Sequence, residues 1–382
     1  MLLSMGGFQM QMIARGILVY QIQDNAFIAS VVAMGFAPSL LVVSLFGGVI
    51  GDRFERRSII QFAQFMIGFI ALVIGVLLVF DVIHWLHLLG ASIAQGAMFA
   101  LQMPARQAAI PTLVGKERMG NAIALNAAAM GLMNLLGPAL GGLIYGVFGP
   151  EAVYFTVAVM GLIAVLLTGF VPRLYPPVNA ARKSAVNNIR DGFSYIQKNK
   201  LVRILIIQSV IIAVLSMPVR MLIPVFAKDV YGSNEAQVGY MAAAAGIGAL
   251  VGSLGIANIR EGQRRGLVVL ASAILSGISI LLLGSVPVYV LGVAVMVGVG
   301  LGESGRWALG QALIMEKTDD EYRARVMSVV MMTFGLLPLG VLPLGAAIEA
   351  FGADTAVIGM AVMLLVAGTL FLMFSRNVRQ LS

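Results

Sequence analysis

Residues 47–60 read GGVIGDRFERRSII, in which an apolar segment runs into Asp52 and then meets Arg53, Arg56 and Arg57 almost at once. The whole chain is 60% hydrophobic and only 11% charged, so this concentration of charge is unusual within it. An apolar run that ends abruptly in basic residues is typical of a transmembrane helix that reaches a membrane face. The stretch therefore predicts a membrane protein whose charges are concentrated in its loops.

The composition points the same way. The chain has 382 residues and a mean hydropathy of +0.96, which is too apolar for a soluble globular domain. Apolar runs of about 20 residues recur along it, and each could cross a hydrocarbon core of about 30 Å. We predict an all-α integral membrane protein with twelve transmembrane helices, at residues 2–22, 26–51, 58–80, 86–114, 119–147, 152–172, 201–227, 235–258, 266–284, 287–315, 322–350 and 353–375.

The basic residues indicate the orientation. Of the 25 lysines and arginines, 20 fall in loops on one side of the predicted membrane and only Lys228 falls in a loop on the other. Because short cytoplasmic loops retain Lys and Arg, both termini are predicted to be cytoplasmic, in a plasma (inner) membrane. Topology and anionic lipid explain the net charge of +8, so no nucleic-acid partner is indicated. The absence of cysteine excludes disulfides, iron–sulfur clusters and thiol catalysis.

The twelve spans divide into two sets of six. Residues 173–200 form the only long polar segment, and they contain a proline pair followed by a basic, amphipathic stretch. This predicts a first bundle at 1–172, a cytoplasmic linker at 173–200 and a second bundle at 201–382. The halves also echo each other at an offset of 203, since Leu136, Gly137, Gly142, Phe148 and Gly149 recur as Leu339, Gly340, Gly345, Phe351 and Gly352. Both bundles begin in the cytoplasm, so we interpret them as pseudo-symmetric parallel repeats.

The segment at 47–57 resembles the loop motif between the second and third helices of the major facilitator superfamily of transporters. The matching positions are Gly48, Asp52, Arg53, Arg56 and Arg57, whereas Glu55 stands where members often have a second glycine. The resemblance implies that Asp52 accepts hydrogen bonds from a helix N-terminus and pairs with arginine, which would hold the two bundles together on the cytoplasmic side. The alternative is that the arginines only anchor the topology and Asp52 is their surface partner.

Two further segments narrow the resemblance. The GPALGG run resembles the fifth-helix motif of exporters through Gly137, Pro138, Gly141 and Gly142, although Met133 replaces an upstream glycine. Residues 103–126 are similar to the branch that contains enterobactin-type siderophore exporters and macrolide efflux pumps. Members of the family usually have more residues before the first helix, which leaves open a native start upstream of Met1.

Five charged residues fall inside predicted spans, where an unpaired charge costs at least about 2.5 kcal/mol. They are Arg15, Arg106, Arg220, Glu303 and Arg306. The resemblance implies that their helices line a central cavity, and the excess of arginine favours an anionic, polyphenolic or amphipathic small-molecule substrate. The alternative is structural, because arginines in helix bundles also pair with carbonyls or snorkel to headgroups, and Glu303 and Arg306 are spaced to neutralise each other.

Glu303 is the only acidic residue placed deep in a span, so we predict that it binds the coupling proton. Asp24 and Asp52 are the alternatives. Asp81, His84 and His87 have a spacing that could hold a metal, but Trp85 beside them favours an interfacial belt and no fourth ligand is evident, so no metal is predicted. The sequence contains neither a phosphate-binding glycine loop nor a pattern of hydrolytic residues, so it predicts neither an ATP-driven pump nor an enzyme.

The residues and the resemblance together predict a monomeric secondary transporter without cofactors. It would export a small molecule, such as a siderophore or drug, in exchange for protons, by alternating access driven by the proton gradient. An importer on the same scaffold is the alternative within transport. A non-transporting receptor or assembly protein is the alternative outside it, although such a protein would be expected to lose Asp52 and the intramembrane charges. Substrate, direction, coupling ion and oligomeric state are not readable from the sequence alone.

Overall fold

The computed structural model describes residues 2–114, 119–175, 185–257, 265–374 and 378, and all their regular structure is helical. The helices of the first half are α1 (Leu2–Gln23), α2 (Ala26–Met34), α3 (Phe36–Arg53), α4 (Arg56–Val79), α5 (Trp85–Val114), α6 (Met119–Phe148) and α7 (Pro150–Gly169). The linker contributes α8 (Ala185–Lys198). The second half contains α9 (Lys200–Met221), α10 (Ile223–Tyr231), α11 (Glu235–Ala257), α12 (Arg265–Ser285), α13 (Tyr289–Glu316), α14 (Arg323–Met332), a 3₁₀ turn (Thr333–Leu336), α15 (Pro338–Phe351) and α16 (Ala353–Phe374).

These helices confirm the prediction of an all-α multi-pass membrane protein. Ten helical stretches in the described ranges are long and apolar enough to cross a membrane. The two other long helices are α1 and α13, with 22 and 28 residues, and they carry three of the five intramembrane charges. Three of the predicted spans are interrupted: at Gly35 between α2 and α3, at Leu222 between α9 and α10, and at the 3₁₀ turn Thr333–Leu336 between α14 and α15. Twelve spans therefore account for the membrane-crossing helices.

The chain forms two compact units. The first consists of residues 1–24, 31–185 and 234–239, and the second of residues 25–30, 186–233 and 240–382. In the first unit α4 packs on α7 and α5, and α1 packs on α6 and α7. In the second unit α12 packs on α13 and α16, and α9 packs on α15 and α16. Each unit is thus a helix bundle with its own interior.

Glycines set how closely the helices approach one another. In the first unit α4 and α7 meet at Gly68 and Gly161, where a methyl group built on Gly161 would lie 2.9 Å from the Cα of Gly68. Small residues of this kind let helix backbones pack directly in a membrane, where no hydrophobic force drives helices together. The contact explains the glycine at position 161, whereas a methyl group built on Gly68 would lie 3.4 Å from its nearest neighbours.

The linker helix α8 is fastened to the second unit. The rings of Tyr195 and Tyr322 stack with centroids 4.6 Å apart, and the Tyr195 hydroxyl accepts a hydrogen bond from the Asp319 backbone N–H at 3.1 Å. Asp191 lies 3.4 Å from the Arg325 guanidinium. The amphipathic stretch predicted from the sequence is therefore a helix whose inner face packs on the α13–α14 connection.

Replacing Gly161 by leucine should destabilise the first unit, because the new side chain would have to push α4 away from α7. Overpacking of this kind costs about 1–3 kcal/mol, so we expect the purified protein to melt several degrees lower in detergent. Gly90 in α5 is the matched control, since a methyl group built there meets nothing within 4 Å. Equal melting temperatures for Gly161→Leu and Gly90→Leu would contradict the packing described.

Candidate functional site

The loop motif is only partly within the described residues. Helix α3 runs to Arg53, but the side chains of Gly48, Asp52 and Arg53 lie outside the described set. Arg56 donates from Nη1 to the Ala108 carbonyl at 3.1 Å, and Arg57 donates from Nη1 to the Val171 carbonyl at 2.8 Å. Both arginines therefore bind backbone carbonyls of the first unit, and the gating role of Asp52 stays a prediction.

The three intramembrane charged residues of the second unit, Arg220, Glu303 and Arg306, lie close together. Arg220, in the last turn of α9, donates from Nη1 to a Glu303 carboxylate oxygen at 2.9 Å, with side chains 23% and 15% exposed. Arg306 is 3% exposed and donates from Nη2 to the Ser216 hydroxyl at 3.1 Å. Glu303 thus pairs across helices with Arg220, not with Arg306 one turn along α13. This ion pair ties α9 to α13 through the interior of the bundle.

Arg15 is buried in the first unit without an ion pair among the residues described there. It donates from Nη1 to the Gln95 side-chain oxygen at 2.8 Å, and Gln95 in turn donates to the Gln11 side-chain oxygen at 2.6 Å. Arg106 lies farther along α5 and is half-buried. The charge of Arg15 is therefore solvated by a relay of amides, a different arrangement from the carboxylate that balances Arg220.

The members of GPALGG divide between two contacts. A methyl group on Gly137 would lie 2.5 Å from the Gln9 Cβ, and one on Gly141 would lie 3.0 Å from the Met10 Cα, so these two glycines face α1. Gly142 and the Pro138 carbonyl instead meet Gly239 near the start of α11. The run is therefore a packing surface for two different helices.

A pocket of about 450 Å³, including the space that opens to solvent, lies within the second unit. Arg306 lines it beside Trp307, whose ring lies 5.1 Å from that of Phe334. Polar groups at its wall come from Ser209, Gln311 and Thr333. A guanidinium beside an aromatic pair can bind a planar ring that carries oxygen acceptors. The sequence reasoning missed the aromatic pair, although the adjacency of Trp307 to Arg306 was a signal for it.

The remaining candidates have other surroundings. Asp24 is exposed in the turn before α2, with a left-handed φ of 45°. His84 and His87 both use Nδ1 to accept backbone N–H groups at the start of α5, at 3.3 Å and 3.1 Å. In the described parts of the chain no group of three or more His, Cys, Asp or Glu side chains could hold a metal. The histidines therefore act at a helix terminus.

Comparison with known proteins places these features in a family. A family model described as transmembrane secretion effector, within the major facilitator superfamily, matches residues 1–381. The enterobactin exporter EntS of Escherichia coli is 29% identical over 290 residues, which cover 75% of this chain and 68% of the exporter. The EntS of Escherichia fergusonii gives the same figures.

Solved structures show the same fold. A variant of the nucleoside transporter NupG superposes with a TM-score of 0.80 at 16% identity, covering 97% of each chain. A D-xylose–proton symporter superposes with a TM-score of 0.73 at 13% identity, covering 100% of this chain and 98% of the symporter. Both superpositions extend over nearly the whole chain, which confirms the predicted fold.

Replacing Arg220 by methionine should destabilise the second unit, because it leaves the Glu303 carboxylate without its partner. Breaking a fully buried pair costs about 3–5 kcal/mol, and we expect about 1–3 kcal/mol for this partly exposed one. Adding Glu303→Gln to Arg220→Met should restore part of the loss, which a double-mutant cycle of thermal unfolding in detergent would measure.

The control for this cycle is the exposed pair of Arg323 and Asp320, at 2.7 Å with side chains 43% and 86% exposed. Surface pairs of this kind contribute up to about 1 kcal/mol, so Arg323→Met should have a small effect. Equal losses for Arg220→Met and Arg323→Met would mean that the intramembrane pair does not hold α9 to α13.

Proposed function

The chain belongs to the transmembrane secretion effector family of the major facilitator superfamily, and we propose that it is a proton-coupled exporter of a small molecule such as a siderophore or drug. Membership of this family makes it a membrane transporter and not an enzyme. Transport would proceed by alternating access, with the proton gradient as the energy source and no cofactor. The proposed setting is a monomer in the inner membrane with both termini cytoplasmic.

The observation that carries the proposal is the pocket that begins one turn along α13 from a partly buried ion pair. Arg306 and Trp307 line the pocket, and Glu303 lies three residues before Arg306 on the same helix. The substrate and the proton can therefore bind to the same face of α13. This closeness is what coupling between a bound molecule and a titrating carboxylate requires.

Antiport further requires that substrate and proton exclude each other at the site. A substrate that donates hydrogen bonds, such as a neutral polyphenol, could use the ionised Glu303 carboxylate as its acceptor. A proton on Glu303 would neutralise that acceptor, which weakens its hydrogen bond to the substrate and its ion pair with Arg220 and so promotes release of the substrate. The aromatic pair of Trp307 and Phe334 supplies stacking surfaces for the rings of such a molecule.

Support for the export direction comes from sequence. The match to EntS, a protein named as an enterobactin exporter, covers most of this chain. The GPALGG run resembles an exporter motif, and its glycines make close contacts with α1 and α11. Both observations favour a transporter that moves its substrate outward in exchange for protons that move inward.

Proton antiport should be measurable in inverted membrane vesicles that carry a preset pH gradient. We expect one member of a panel of a catecholate siderophore, a macrolide and a cationic drug to dissipate the gradient, and Glu303→Gln to abolish the response. Glu321→Gln is the matched control, because Glu321 is exposed beyond α13. Movement of labelled substrate with no response of the gradient would rule out proton antiport, and symport of protons with substrate would indicate an importer.

Binding at the pocket should be visible through Trp307. The chain has two tryptophans, so Trp85→Phe leaves Trp307 as the sole indole. We expect the substrate identified in vesicles to quench the fluorescence of Trp85→Phe in a saturable manner. Trp307→Phe, which keeps Trp85 at the start of α5, should show no saturable quenching. Saturable quenching of Trp307→Phe alone would place the substrate elsewhere.

A further inference from the structure

Arg15 carries a positive charge inside the first unit that the amides around it solvate but do not neutralise. Its described hydrogen bond goes to the side-chain oxygen of Gln95, which is uncharged. In the described ranges no Asp or Glu lies within ion-pair distance of Arg15. A buried charge is stable when it is both hydrogen-bonded and paired with an opposite charge. An anion beside Arg15 would meet the second condition.

The packing of α1 on α7 brings two further hydrogen-bond donors to this place. A methyl group built on Gly7 of α1 would lie 3.2 Å from Val157 of α7. These helices are the first and sixth spans, so they run antiparallel. Gln11, one turn farther along α1, is therefore level with Tyr154, which lies one turn back along α7. The Tyr154 phenol is also close enough to Arg15 for the two groups to interact electrostatically.

Both donors are buried without an acceptor. In the part of the chain that the structure describes, neither the Gln11 Nε2 nor the Tyr154 hydroxyl has a hydrogen-bond partner. Gln11 and Tyr154 are 3% and 2% exposed, and Arg15 is 7% exposed. The Gln11 side-chain oxygen already accepts a hydrogen bond from Gln95, which leaves the N–H groups of Gln11 available. Such groups are costly when unpaired, so each of them indicates an acceptor at this place.

We propose that Arg15, Gln11 and Tyr154 bind a small inorganic monovalent anion, such as chloride, in the interior of the first unit. The anion accepts hydrogen bonds from the guanidinium, the amide and the phenol, and it neutralises Arg15. A water molecule would satisfy the donors but would leave the charge unbalanced. The inference goes beyond the proposed function, because it concerns an ion that stays with the protein and not the molecule that is transported.

The enclosure of the three side chains determines which anions fit. An organic anion has a hydrocarbon or aromatic body, so it could reach Arg15 only by displacing side chains that are almost fully buried. Sulfate carries two charges, of which Arg15 balances only one. A halide brings a single charge and accepts hydrogen bonds from several directions. The site is therefore suited to chloride or bromide.

Thermal unfolding of the purified protein in detergent tests the proposal. We replace gluconate by chloride at constant ionic strength and expect the melting temperature of the parent to rise saturably, by at least about 2 °C, because an anion that binds only the folded state stabilises it. Arg15→Gln should remove this dependence. A parent that does not respond to chloride, or an equal response of Arg15→Gln, would overturn the proposal.

Tyr154→Phe provides a milder variant, since it removes a single hydroxyl that is buried without a partner. We expect the half-saturating chloride concentration to rise at least about tenfold, because hydrogen bonds to charged groups are strong. Tyr231→Phe is the matched control, because the Tyr231 hydroxyl already donates to the Leu283 carbonyl at 2.6 Å, in the second unit. It should leave the half-saturating concentration unchanged. Equal shifts in the two variants would contradict a contact between Tyr154 and the anion.

Two further arms locate the site and identify its ligand. Arg306→Gln should keep the response to chloride, and loss of the response in this variant alone would place the anion at the pocket of the second unit. Bromide should replace chloride, whereas sulfate and acetate should not. Stabilisation by acetate and not by halides would overturn the proposal and would indicate the carboxylate of an organic molecule. These measurements need no transport, so their outcome is independent of the proposed exporter.

Discussion

A charge inside a membrane-spanning helix must be balanced by the protein, because lipid tails supply neither an opposite charge nor a hydrogen-bond partner. This constraint determines which face of each charged helix points to the interior of its bundle. Arg220 on α9 and Glu303 on α13 satisfy each other at 2.9 Å, and this is possible only if both helices present these faces to the interior of the second unit. Because Arg306 lies three residues after Glu303 on α13, its side chain points to the same interior. There it donates a hydrogen bond to Ser216 and lines the pocket. The location of the pocket thus follows from the need to pair charges.

The two units meet the same constraint by different chemistry. In the first unit Arg15 is solvated by the amides of Gln95 and Gln11, which cannot change charge. In the second unit the balancing group is a carboxylate, which can. In the proposed exporter, Glu303 is therefore the group on which a proton would act, whereas the amides around Arg15 carry no ionisable group.

Much of the architecture was predictable because lipid imposes simple rules on sequence. Apolar runs revealed the spans, and the basic stretch after Gly48 marked a membrane face. The break at Gly35 was not predicted, because hydropathy measures the length of a span and not its continuity. The five intramembrane charges were found by their cost, but the partner of Glu303 was not. Spacing along α13 suggested Arg306, whereas the actual partner, Arg220, is brought near by tertiary packing that no local pattern records.

In the proposed antiport, the ion pair also constrains what kind of substrate can be exchanged for protons. An anion that bound Arg220 would displace Glu303 and leave its carboxylate unpaired, which would favour proton binding at the same time as the anion. The anion and the proton would then each strengthen the binding of the other. Such positive coupling produces co-transport of the anion with protons. A neutral or cationic molecule that donates to Glu303 instead competes with the proton, and competition is the condition for exchange. Among the substrates that the arginines suggested, an exporter built on this pair is therefore suited to a protonated polyphenol or an amphipathic drug, and an anion would suit an importer.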